Sequence, residues 1–261
     1  MDKVRTLDAA LAAAEGAASL ALGGWSFSRR PVAAVRGIVA AGLRFEELIS
    51  VAGGLETDLM LCAGAVGRLR GFYFGMEALG NGPGLRQGAE IVEESEGSLI
   101  LGLTAAAQGQ TFLPLHAEHG AALARLRPDI KPIDCPYTGH AYLAMPAIKP
   151  DLAIVHARVA DRRGNAILGG NLGADRLLAT AAAHTIVTCD RLVDAIGGDG
   201  EEADIAGLMV DAVVHLPGGA APTACRPLYE ADWEALIDYA ALTPEGALAW
   251  LDGLAPAGGS A

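Results

Sequence analysis

Short apolar runs that stop at paired glycines constrain this chain more than any other feature. Leu20-Ala21-Leu22 meets Gly23-Gly24, Val51-Ala52 meets Gly53-Gly54, and Ile167-Leu168 meets Gly169-Gly170. Consecutive apolar residues suit a strand covered on both faces, as in parallel sheets sandwiched between helices. Ile49-Ser50-Val51, Ala153 to His156 and Thr185 to Thr188 are similar runs, and longer Ala/Leu-rich stretches separate them. The alternation predicts an α/β fold: an open, mainly parallel sheet flanked by helices. In such sheets ligands bind beyond the carboxyl ends of the strands, where glycine lets the backbone come close. The glycine pairs therefore mark the candidate site.

Helices are expected from Pro31 through Val35 and Ile38 to Gly42, from Leu99 to Ala107 and from Asp175 to Ala183. Proline suits the first helical turn because its missing N–H has no partner to lose there. Residues 196–203, rich in glycine and acids, read as a loop, and residues 254–261 as a flexible tail. With 261 residues and 52% apolar content, one domain over residues 1–253 can bury a substantial core.

Several function classes are disfavoured. Nineteen Lys and Arg against 31 Asp and Glu give a net charge of -12, which argues against a broad face for nucleic acid or anionic membrane. The opening MDKVRTLDAALAAAEG lacks the basic and apolar segments of a secretion signal, and charges interrupt every apolar run before it could span a bilayer. A cytoplasmic location is expected. Cys62, Cys135, Cys189 and Cys225 are widely spaced, as small apolar fillers would be, and His116 and His119 have no companion ligands nearby, so no metal is expected. GxxxxGK[ST], GxGxxG and GxSxG motifs are absent.

The stretch Gly23-Gly24-Trp25-Ser26-Phe27-Ser28-Arg29-Arg30-Pro31 resembles the first glycine loop of class I coenzyme A transferase α subunits. Ala63 to Arg68, Gly75-Met76-Glu77, Ala105-Ala106-Ala107 with Phe112-Leu113-Pro114, Asp151 to Ala157, Gly164-Asn165, Thr185 to Cys189 and Met209 to Val214 follow in the family's order. The resemblance runs from Lys3 to Tyr229. It is nearest to glutaconate coenzyme A transferase α subunits and their steroid-degrading relatives.

The resemblance implies a coenzyme A transferase-like fold and a β-type partner subunit, in a heterodimer or α2β2 assembly. It also implies an acyl-CoA thioester as substrate, with no permanently bound cofactor. In such transferases a β-subunit glutamate attacks the thioester and carries coenzyme A to a second carboxylic acid. The α subunit shapes the acyl pocket and supplies an oxyanion donor, a contribution worth about 3 kcal/mol elsewhere. That donor resembles a glutamine nine residues before the alanine that corresponds to Ala105, and Glu96 stands there. An ionised carboxylate repels a developing oxyanion, whereas relatives that hydrolyse a carbon–carbon bond in a ring-containing acyl-CoA carry glutamate at this place as a base.

Three alternatives follow: a transferase subunit, a ring-opening hydrolase subunit with Glu96 as base, or a non-catalytic acyl-CoA-binding subunit. Candidate substrate-binding residues are Gly23, Gly24, Trp25, Ser26, Arg29, Arg30, Gly53, Gly54 and Glu77. Arg29 and Arg30 are either a solvated turn or a bidentate grip on a substrate carboxylate. Trp25 either lines the acyl pocket or packs, and Ser28 either serves the site or caps the helix at Pro31. Gly53 and Gly54 are expected to turn their backbone to the pocket, and His156 and His184 to be satisfied core residues. Glu93, Glu94 and Glu96 otherwise read as a solvated acidic run.

Overall fold

The computed structural model describes residues 1–197 and 202–254. Part of the 196–203 loop and residues 255–261 of the expected tail lie outside the described residues. The strands are β1 (Ser19–Leu22), β2 (Phe45–Ile49), β3 (Ala52–Gly53), β4 (Val66–Gly71), β5 (Tyr73–Phe74), β6 (Glu90–Glu93), β7 (Phe112–His116), β8 (Lys131–Asp134), β9 (Ala141–Pro146), β10 (Leu152–Asp161), β11 (Ala166–Ile167), β12 (His184–Val193) and β13 (Ala212–His215). The helices are α1 (Leu7–Ala12), α2 (Val32–Ala40), α3 (Leu55–Cys62), α4 (Pro83–Arg86), α5 (Glu96–Ala107), α6 (Ala117–Leu126), α7 (Asp175–Ala181), α8 (Trp233–Ala240) and α9 (Pro244–Gly253).

The main sheet has the order β13-β12-β10-β1-β2-β4-β6, with every neighbouring pair parallel, and β11 returns antiparallel beside β10. Side chains alternate across it. Leu20 and Leu22 of β1, with Leu152 and Ile154 of β10, enter the core under α2, α3, α8 and α9. Ala21 and Ala153 face the other way, toward Leu99 and Leu103 of α5 and Leu178 of α7. Period-two alternation with both faces apolar is what a doubly covered parallel strand requires. Beside this sandwich, β7-β9-β8 form an antiparallel sheet that packs Leu143 and Met145 against Leu123 of α6.

Because the seven strands run together, their carboxyl ends share one edge of the sheet. Gly23 follows β1, Ser50 follows β2, Phe72 follows β4, and Glu94 follows β6. The three expected helices are present with shifted ends. α5 begins three residues before the expected Leu99, because Ser95 and Ser98 cap it reciprocally. α7 stops at Ala181, and the N-cap of α2 is Pro31 itself, with no side-chain cap. No helix among the described residues is long and apolar enough to cross a membrane.

Candidate active site

The first glycine turn is fixed from beneath by a buried ion pair. Gly24 adopts φ +94°, and a Cβ there would lie 2.9 Å from the carbonyl oxygens of Ser28 and Arg29, so only glycine fits. Its N–H donates to Asp175 Oδ1 at 2.8 Å, and the other Asp175 oxygen accepts from Arg29 Nη1. Arg29 also donates to the carbonyls of Asn171 and His156. Trp25 and Ser28 exchange backbone hydrogen bonds of 3.0 and 2.9 Å, closing the turn.

Arg30 does the same for the second glycine turn. It donates to Glu56 Oε1 at 3.0 Å, to the Ala52 carbonyl at 2.6 Å and to the Ser26 carbonyl at 2.7 Å. Glu56 Oε1 in turn accepts the Gly54 N–H at 3.1 Å and the Thr57 hydroxyl at 3.0 Å. Arg29 is 0% and Arg30 2% exposed, so the expectation of either a solvated turn or a grip on a substrate carboxylate is corrected. Both guanidinium groups are committed to internal carboxylates, where a buried charge must find its partner. Asp175 and Glu56, which complete these pairs, escaped the sequence reading.

Gly53 and Gly54 are also buried, in place of the expected pocket-facing backbone. A Cβ on Gly53 would meet Phe74 at 2.5 Å, and one on Gly54 would meet the Arg30 guanidinium at 3.2 Å. The turn is small so that interior groups can pack against it. Through the β3–β5 pair and a 3.0 Å bond from Gly75 N–H to the Gly53 carbonyl, it is joined to the loop that carries exposed Glu77. Ser28 does not cap α2; its hydroxyl donates to the Ala224 carbonyl at 3.5 Å. Trp25 is half-buried. It packs in the cluster with Leu99 and Leu178, and with Ser26, Phe27 and Ser28 it lines a cavity of about 260 Å³ shared with Asn171 and Trp233.

Ser26, Arg29 and Glu77 have φ of +52°, +55° and +50°, and they are the non-glycine residues with positive φ among the described residues. Strained backbone of this kind persists where the surroundings over-determine it, and functional sites are where it collects. Ser26 and Arg29 lie in the first glycine turn, and Glu77 in the loop hydrogen-bonded to the second.

Glu96 is exposed at the first position of α5 and makes no hydrogen bond or ion pair among the described residues. β6 is three places from β1 in the sheet, so at about 4.8 Å per strand their ends lie roughly 14 Å apart. The interval is bridged by the apolar cluster of Trp25, Phe72, Leu99 and Ile100. Glu94, read with Glu96 as one solvated run, is instead 4% exposed.

His156 is a satisfied core residue, with Nδ1 2.8 Å from Thr188 Oγ1 and Nε2 2.9 Å from Asp190 Oδ2. Burial opposes ionisation of Asp190, yet His156, Cys225 and the Gly218 N–H hold its carboxyl below the usual range. Burial pushes the Cys189 thiol up to about 12 and raises that of Cys225 further. These two cysteines are fillers as expected, whereas Cys135 lines an open cavity beside Tyr137. His184, expected in the core, is exposed at the start of β12 and 3.8 Å from Asp211. The His116 ring lies 5.8 Å from that of His119 and 6.3 Å from that of His140, centroid to centroid. Among the described residues, the group whose donor atoms converge as metal ligands would is His156, Asp190 and Cys225, already joined by its own hydrogen bonds.

The model of the coenzyme A transferase family matches residues 4–216. The chain belongs to the coenzyme A transferase family. It is 33% identical to the A-type subunit of 3-oxoadipate CoA-transferase from Pseudomonas knackmussii over 232 residues, 85% of this chain and 82% of that protein. It is 31% identical to the cholesterol ring-cleaving hydrolase IpdA subunit of Mycobacterium tuberculosis over 259 residues, 92% of this chain and 87% of that protein. Among solved structures, glutaconate coenzyme A-transferase from Acidaminococcus fermentans superposes with a TM-score of 0.85 at 31% identity, covering 96% of this chain and 87% of that one. The decarboxylase AibA/AibB superposes with a TM-score of 0.87 at 33% identity, covering 97% and 99%. The coenzyme A transferase fold expected from the sequence is thus present, and coenzyme A transfer is the activity that the family and its named transferase relatives support.

Proposed function

We propose that this chain is the α-type half of a heteromeric coenzyme A transferase, which moves coenzyme A between an acyl-CoA and a carboxylic or dicarboxylic acid. The observation that carries the reading is the concentration of Ser26, Arg29 and Glu77, all at positive φ, in the first glycine turn and in the loop hydrogen-bonded to the second, at the carboxyl edge of the sheet. A β-type partner supplies a carboxylate that attacks the thioester carbonyl and releases coenzyme A thiolate to form an anhydride. The thiolate then attacks the anhydride at the enzyme carboxyl, which frees the acid and leaves an enzyme thioester. Repetition in reverse with a second acid completes the exchange, without a permanently bound cofactor. This chain contributes the turn at Gly23 and Gly24, the half-buried Trp25 and the carboxyl of Glu96. Transfer asks the Glu96 side chain to donate a hydrogen bond to the oxyanion.

A second reading is favoured by the Glu96 carboxylate having no partner among the described residues. An exposed, unpaired carboxylate suits a general base that activates water for carbon–carbon bond cleavage in a ring-containing acyl-CoA. Glu96→Gln separates the two. The complex with the β-type subunit is incubated with acetyl-CoA and isotopically labelled glutaconate or 3-oxoadipate. Transfer predicts labelled thioester, with Glu96→Gln at least as active because an amide donates without a proton to lose. Hydrolysis predicts no labelled thioester from either protein, and ring-opening turnover that Glu96→Gln abolishes. Tight acyl-CoA binding with neither reaction identifies a non-catalytic subunit.

A further inference from the structure

The corner that presents Glu96 is built around a second glutamate for which the chemistry above has no use. The Glu94 side chain is 1% exposed and accepts from Arg70 Nη1 at 2.7 Å, from Arg127 Nη1 and from Ser98 Oγ. Its backbone N–H donates to the Gly71 carbonyl at 3.1 Å, which anchors it to the end of β4. Ser95 and Ser98 close a reciprocal cap, with bonds of 2.9 Å from Ser95 N–H to Ser98 Oγ and 3.0 Å from Ser98 N–H to Ser95 Oγ. Arg127 donates to the Glu93 carbonyl at 3.3 Å as well. The chain is therefore tied at 93, 94, 95 and 98, while the Glu96 side chain between them makes no bond among the described residues.

We propose that Glu94 is a positioning residue for Glu96, a proposal that rests on the role of Glu96 given above. Its buried carboxylate draws Arg70, Arg127 and the Ser98 hydroxyl to one point, which fixes where the first turn of α5 starts and hence the direction of the Glu96 Cα–Cβ bond. Glu94 is itself too enclosed to meet substrate. Neutralising it strands neither arginine. Arg70 keeps Glu47 at 3.0 Å and Arg127 keeps Asp129 at 2.8 Å, so the Glu94→Gln protein folds.

The test compares the parent complex with Glu94→Gln, Glu96→Ala and the double variant, using acetyl-CoA with labelled glutaconate and, separately, backbone amide exchange. Glu94→Gln is expected to lower kcat on the order of ten- to a hundred-fold, the cost of misplacing a reacting group by a fraction of an ångström to an ångström. KM stays within about two-fold, because ground-state binding is untouched. Exchange at the Ser98 and Leu99 amides rises while β1 and β10 stay protected, and the double variant is no slower than Glu96→Ala alone. Parental kcat in Glu94→Gln beside an inactive Glu96→Ala overturns the positioning role. Parental turnover in Glu96→Ala locates the failure in the role of Glu96 instead. The exchange measurement needs no substrate, and unchanged protection at Ser98 and Leu99 in Glu94→Gln overturns the proposal whatever the turnover.

Discussion

Arg29-Arg30 and Glu93 to Glu96 are both short charged runs, and for both a solvated segment is one of the readings that the sequence offers. The structure treats them in opposite ways. The arginine pair is wholly interior, each guanidinium holding an acid that in turn holds a glycine amide. The acidic run is divided, with Glu94 clamped between two arginines and Glu96 exposed two residues later. Charge in a sequence thus says little about solvent until the partner is known, and here the partners are distant. Arg30 meets Glu56 across 26 residues and Arg29 meets Asp175 across 146.

The contrast is broken most forcefully at Glu96. Glu96→Ala is expected to reduce turnover of the complex by on the order of a hundred- to a thousand-fold, as loss of one oxyanion donor or base does elsewhere. Its stability should move by no more than about 0.5 kcal/mol, since the side chain is exposed. Arg30→Met is the reverse case. It leaves Glu56 as an uncompensated buried charge and should cost about 3–5 kcal/mol in urea unfolding; a loss below about 1 kcal/mol would mean that the pair is hydrated and the interior picture wrong.

Gly24→Ala comes next, at about 1–3 kcal/mol for a side chain forced to positive φ, with a further loss of turnover that Gly42→Ala should not share. A Cβ at Gly42 meets nothing within 4 Å, so its φ of +66° alone sets a smaller stability cost, without the backbone clash of Gly24. Acid titration sharpens the comparison more gently. Burial opposes ionisation of Glu47, but Arg70 and Arg68 hold its carboxyl below the ordinary value. Its contribution is therefore present above the unfolded value of about 4.3 and is lost as pH falls through the folded one. Chemical unfolding between about pH 5 and pH 3 should fall less steeply in Glu47→Gln than in the parent. The smallest effect belongs to Arg68→Ala. Its side chain is 42% exposed and Glu47 keeps Arg70, so the change should lie within about 0–1 kcal/mol and shrink in salt.

Much of the framework was legible because it is written locally. Apolar runs such as Leu20 to Leu22 announce buried strands, and the glycine pairs after them announce the turns. Pro31 announces the start of α2 to within a residue. The start of α5 was missed because its capping box uses Ser98 in place of the more familiar Glu or Gln. Asp175 and Glu56 were missed for a different reason: the arginines they pair with lie 146 and 26 residues away, and only the assembled sheet brings them together. His184 sits beside an apolar run yet precedes its buried part, a distinction of one residue that burial decides and sequence does not.

Adjacent residues 29 and 30 reach opposite layers of the sandwich. Arg29 is tied to α7, which packs with α5 on one side, and Arg30 to α3, which packs with α2 on the other. A single peptide unit is thereby the crosspiece between two helical decks, and any sliding of one deck over the other has to be absorbed within its few torsions. Such a junction tolerates little play, so disturbances arriving at either deck from outside are delivered to the same spot, the turn that begins at Gly23 and Gly24.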